Sequence, residues 1–84
     1  MVTVKLFGLL RLDTGIKELS VEAKSIRALY PILLEEAKRR NPDSDIKKSD
    51  IDECIFMVNG VQKNKHAKLK DGDTVTLMSA VSGG

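Results

Sequence analysis

The chain opens on an alternation: Val2, Val4 and Leu6 stand against Thr3, Lys5 and Phe7, the two-residue period of a half-buried strand. Gly8 interrupts it, and Leu9-Leu10-Arg11-Leu12 leads into Asp13-Thr14-Gly15, a turn-like tripeptide. A second strand is predicted over Ile16 to Val21, whose weaker alternation suits a sheet edge with little to bury. The period then changes. Ile26, Leu29, Tyr30, Leu33, Leu34 and Ala37 recur at helical spacing as one apolar stripe. Ser25 stands ahead of them as N-cap, and Lys38, Arg39 and Arg40 sit where the helix dipole favours cations. Asn41-Pro42 ends the helix. Pro31 removes one internal hydrogen bond, but the apolar period runs through it, so one bent helix is predicted.

Residues 41–53 are mixed and polar, and read as a loop with at most a short turn. Cys54 to Val58 is a compact apolar strand, and Asn59-Gly60 is a strong hairpin signal because both residues tolerate positive φ. Val61-Gln62-Lys63 returns as a short strand, Leu69 to Asp73 forms a turn, and Thr74 to Ala80 is the last strand. The order is strand, strand, helix, strand, short strand, strand. It predicts an α+β roll of the ubiquitin-like β-grasp kind: a mixed sheet of four to five strands with one main helix across one face. Residues 1–84 are expected to form a single domain, with 81–84 as a flexible C-terminal tail.

Composition narrows the function classes. A domain of 84 residues has a thin core and no interior to spare for a deep catalytic cavity. Net charge is only +2, and Phe7, Tyr30 and Phe56 are the three aromatic residues, so base stacking on nucleic acid is not expected. One cysteine, Cys54, and one histidine, His66, exclude a disulfide framework and a Cys- or His-built metal site. No apolar run reaches the roughly 18 residues of a membrane span, and no secretory signal precedes the first strand, so a cytoplasmic location is expected. Cys54 reads as a packing residue in preference to a redox thiol. His66 lies among Lys63, Lys65, Lys68 and Lys70, a basic run that reads as a solvated loop before it reads as an anion contact. Asp71 and Asp73 flank Gly72 as turn residues, with no metal implied.

The sharpest feature is Gly83-Gly84, directly after an apolar strand. A carboxylate that must be threaded into another protein's active site gains from residues without side chains, because the backbone can approach closely and choose φ freely. Together with Phe7-Gly8-Leu9-Leu10-Arg11, Leu69-Lys70-Asp71-Gly72-Asp73-Thr74-Val75 and Val81-Ser82-Gly83-Gly84, it resembles the small subunit of molybdopterin synthase and the wider ubiquitin-like sulfur carrier family. Where that subunit usually has two prolines before the final valine, this chain has Ser79 and Ala80.

The resemblance implies a co-substrate with no catalytic residues, metal or bound cofactor of its own. A ubiquitin-activating-type adenylyltransferase would use ATP to adenylate Gly84, and a sulfur donor would then convert it to a thiocarboxylate. Val81, Ser82 and Gly83 would thread into the partner, and the sulfur acceptor would be an enzyme such as the molybdopterin synthase large subunit. Arg11 falls on the family's arginine, as a partner contact or a plain loop cation. Sulfur carriers of thiamine synthesis or tRNA thiolation, a ubiquitin-like protein modifier, and a β-grasp ligand- or RNA-binding module are the alternatives. In a β-grasp sheet the first and last strands run side by side. If Val2, Val4 and Leu6 face the helix, Phe7 and Met78 meet on the open face beside the tail, as a docking patch or as residues covered by it.

Overall fold

The structure, a computed structural model, describes residues 1–79. Five strands, β1 (Val2–Phe7), β2 (Glu18–Val21), β3 (Ile55–Val58), β4 (Val61–Lys63) and β5 (Thr74–Met78), form one sheet in the order β2-β1-β5-β3-β4. β1 and β5 pair in parallel at its centre, and the other pairings are antiparallel. Three helices join them: α1 (Leu9–Thr14), α2 (Ile26–Arg40) and α3 (Lys48–Asp52). This is the expected β-grasp arrangement.

The alternation in β1 is realised as read. Val2, Val4 and Leu6 are buried, Val75 and Leu77 join them from β5, and Ile26, Leu29, Tyr30, Leu33 and Ala37 cover them from α2. Ser25 caps α2, its Oγ accepting from the Ala28 amide at 3.2 Å. The helix runs continuously to Arg40 through Pro31, which is exposed and so gives up its N–H on the wet side. The Asn59-Gly60 hairpin also forms as read, with φ of 52° and 84° and Val58 opposite Val61. Asn59 then does more than turn the chain: its side chain donates to Asp73 Oδ1 and accepts from the Thr74 amide, both at 2.9 Å. Asp73 Oδ2 accepts from the Lys70 amide at 2.8 Å, so this aspartate serves the turn.

Five boundaries differ from the sequence reading. Residues 9–14 are a helix, and Gly15 is its left-handed C-cap (φ 73°), donating to the Arg11 carbonyl at 2.9 Å. Six residues are too few to show a helical period, which is why the segment reads as loop and turn. Buried Thr14 bends the chain onward, its hydroxyl donating to the Leu10 carbonyl and accepting from the Ile16 amide. β2 begins at Glu18, and Ile16 is a core plug ahead of it. Within the predicted 41–53 loop, α3 forms around buried Ile51, with Asp50 accepting from the Lys47 amide at 2.8 Å. Cys54 belongs to the turn after α3 and not to β3, its amide donating to the Ile51 carbonyl. β5 ends at Met78; Ala80, expected at its end, lies outside the described residues.

Candidate functional site

Three strands converge where β5 ends. Parallel pairing sets Phe7 opposite Met78, and antiparallel pairing sets Ile55 on the other flank of Met78. Directly opposed residues share a face, so these three form one apolar row on the side of the sheet away from α2. Phe7 is 44% exposed and Ile55 37%, while Met78 between them is half-buried. Behind the row stand Lys5, Thr76, Met57 and Gln62, and polarity takes over except at Met57. On α1, which follows Phe7 in the chain, Leu9 is 59% exposed and Leu12 74%.

Sequence parity placed Phe7 and Met78 on this face, and they lie there side by side. Ile55, Leu9 and Leu12 were missed. The run Ile55-Phe56-Met57-Val58 is apolar throughout, so its alternation is hidden until the register shows Phe56 and Val58 turned to the core. Leu9 and Leu12 share a face only once residues 9–14 are known to be helical.

Ser79, the last described residue, is held at this end of the sheet. Its Oγ accepts from the Leu10 amide at 3.3 Å and donates to the Phe7 carbonyl at 3.4 Å. Gly8 lets it approach: a Cβ there would lie 2.5 Å from that oxygen. Arg11 is exposed on α1 and has no carboxylate partner among the described residues. Val81, Ser82, Gly83 and Gly84, the expected threading and reacting residues, lie outside the described residues.

The remaining candidates fall elsewhere. Cys54 is buried, its thiol donating to the Asp50 carbonyl at 3.3 Å. Burial, with Asp50 and Glu53 nearby, pushes that thiol up to about 11, which keeps it a protonated packing group at neutral pH. His66, with Lys63 and Lys68, borders an open hollow after β4, its amide donating to Asn64 Oδ1. A polar network that no pattern along the chain foretells joins α2, α3 and the loop after β4. The Tyr30 hydroxyl donates to Asp52 Oδ1 at 2.8 Å, and Lys65 Nζ lies 3.2 Å from the same carboxylate. The tyrosine bond, then the lysine, hold Asp52 below the ordinary carboxylate range, while burial foremost raises Tyr30. Among the described residues no cluster of His, Cys, Asp and Glu could hold a metal ion, and no helix is long and apolar enough to cross a membrane.

A family model, that of the ThiS family, matches residues 4–84, a span that begins within β1, takes in the other four strands and reaches Gly83-Gly84. The chain belongs to the ThiS family. Solved structures agree with that membership. The complex of subunits 1 and 2 of the molybdopterin-converting factor of Helicobacter pylori contains a chain 26% identical, with 99% of this chain and 97% of that one covered at a TM-score of 0.62. The BexX/CysO complex of Amycolatopsis orientalis contains one 25% identical, with both chains fully covered at 0.63. Small archaeal modifier protein 1 of Methanosarcina acetivorans is 26% identical, with 99% and 95% covered at 0.64. No match was found among curated protein sequences.

The resemblance to ubiquitin-like sulfur carriers therefore holds for the whole domain. These relatives are subunits of two-protein complexes and a small modifier protein, and this chain shares their ubiquitin-like carrier family.

Proposed function

We propose that this ThiS-family chain is a sulfur carrier whose Gly84 is converted to a thiocarboxylate, with molybdopterin synthesis as the pathway served. One Gly84 carboxylate oxygen attacks the α-phosphorus of ATP on a ubiquitin-activating-type partner, and pyrophosphate leaves. AMP is then a good leaving group: hydrosulfide attacks the carbonyl carbon, the C–S bond forms, the C–O bond to AMP breaks, and the thiocarboxylate remains. The chain contributes the reacting atoms and a surface to dock by; acid, base and metal belong to the partners. Apolar Phe7, Met78 and Ile55 suit that surface, since they lie at the end of the sheet from which the chain continues towards Gly84. The flexible thioether of Met78 allows two successive partners, the activating enzyme and the sulfur acceptor, to fit one patch.

The observation that carries this reading is a family match running unbroken through Gly83-Gly84. The choice of molybdopterin rests on the Phe7–Arg11 and Val81–Gly84 motifs and on the likeness to the Helicobacter pylori complex. Its test is the intact mass of the protein taken from its native cells, together with the terminal peptide after incubation with the activating enzyme, ATP and sulfide. Replacement of one terminal oxygen by sulfur is expected. An unchanged mass beside a proven cognate enzyme refutes it. The likeness to an archaeal modifier supports a second reading, attachment through Gly84 to lysines of other proteins, for which isopeptide conjugates in the lysate are the evidence to seek.

A further inference from the structure

We propose that Ser79 is a positioning residue whose hydroxyl fastens the root of the C-terminal segment to the start of α1. The proposal rests on the carrier reading above and concerns how the terminus is presented, not what is done to it. Three observations meet at this side chain. β5 ends at Met78, which pairs with Phe7, so Ser79 is the first residue past the parallel ladder. Beyond such a point strand pairing no longer sets the chain's direction. Here the side chain supplies one, through the Leu10 amide at 3.3 Å and the Phe7 carbonyl at 3.4 Å.

The second observation is on the receiving side. Leu10 is the second residue of α1, and its amide is one of the first-turn donors a helix cannot satisfy internally. A serine or aspartate at the N-cap ordinarily accepts from that donor, but the N-cap here is Gly8, which makes no side-chain cap bond. Ser79 caps the helix in its place from 69 residues away. The third observation is the fit. Gly8 has φ 73° and ψ −148°, backbone open only to glycine, and a Cβ there would meet Ser79 Oγ at 2.5 Å. The missing side chain and the reaching hydroxyl are two halves of one contact.

The consequence for a carrier is geometric. With Phe7, Met78 and Ile55 docked on a partner, the reacting carboxylate must be delivered a fixed number of residues away. Fastening residue 79 fixes the point from which the carboxylate is delivered, and setting that residue loose adds its own ordering cost to each turnover. Docking itself does not involve Ser79. Its loss therefore belongs in kcat at saturating carrier and not in KM.

The experiment is ATP–pyrophosphate exchange with the ubiquitin-activating-type adenylyltransferase of the same genome, on wild type, Ser79→Ala and Ser79→Thr. Ser79→Ala is expected to lower kcat by about three- to tenfold, the upper end corresponding to about 1.4 kcal/mol, with KM within about twofold of wild type. Ser79→Thr keeps the hydroxyl and is expected to restore the rate, which a purely packing role for the side chain does not predict. Equal kcat in wild type and Ser79→Ala overturns the proposal. So does a loss that appears in KM, or one that Ser79→Thr fails to repair. If wild type is not adenylated at all, the carrier reading itself falls. The latch is then judged by hydrogen exchange at the Leu10 amide: protection that Ser79→Ala removes supports it, and equal exchange overturns it.

Discussion

Gly8→Ala isolates the contact between the two ends of the chain, because its cost has two separable parts. The first is backbone: φ 73° with ψ −148° lies in a region closed to residues with a Cβ, at about 1–3 kcal/mol. The second is contact: a Cβ 2.5 Å from Ser79 Oγ forces the hydroxyl away and breaks its bonds to Leu10 and Phe7. Those bonds are long, so about 0.5–1 kcal/mol for each is appropriate. The sum is about 2–5 kcal/mol, and at roughly 4–8 °C per kcal/mol for a domain of this size the fall in Tm is easily read.

Ser79→Ala separates the parts. Without Oγ the nearest atoms to the new methyl are the residue 79 Cβ at 3.7 Å and its amide nitrogen at 3.8 Å, ordinary contacts. In that background Gly8→Ala costs the backbone part alone. Urea unfolding of wild type, both single variants and the double variant is expected to give a coupling of about 1–2 kcal/mol, the double variant being more stable than the two single costs predict. A cost of Gly8→Ala that is the same in both backgrounds, to within about 0.3 kcal/mol, refutes the contact; a cost near zero refutes the backbone assignment as well.

Asp52, with its pKa held low, stabilises the fold at neutral pH, and that contribution is lost as pH falls below about 4 and through its folded value. Tyr30, with its pKa raised, contributes stability that is lost as pH climbs above about 10. Tyr30→Phe is expected to flatten both limbs of the pH–stability curve while leaving the far-UV spectrum unchanged; limbs as steep as wild type sink the network. Cys54 is expected to resist iodoacetamide at neutral pH and to label fully only in denaturant, and rapid native labelling contradicts its placement. Phe7→Ser with Met78→Ser is expected to weaken partner binding by at least about tenfold, roughly 1.4 kcal/mol, with little change in urea midpoint; a double variant that unfolds places both residues in the core.

Legibility in the sequence followed element length and one-sidedness. β1 and α2 were readable because each presents one buried face over enough residues to establish a period, and Ser25 and Asn59-Gly60 because local geometry alone fixes their roles. α1 and α3, at six and five residues, are held by tertiary contact of Leu10 and Ile51, which no local window reveals. The apolar row was half legible for a related reason. Phe7 and Met78 follow from strand parity, whereas Ile55 needs the β3–β5 register. The Ser79–Gly8 contact spans nearly the whole chain, and only the fold brings its halves together.

The placement of β5 ties the order of synthesis to the soundness of the product. Emerging from the ribosome, β1 and β2 can pair, as can β3 and β4, but no strand pairing within the sheet joins those two ribbons until Thr74–Met78 slides between β1 and β3. A nascent chain stopped short of that strand keeps both inner edges open and the α2 stripe only partly covered, the exposed state that quality-control proteases remove. The strand that completes the sheet is also the one from which the last residues continue. A copy that has folded is therefore a copy in which the ribosome has already read to within a few codons of Gly84.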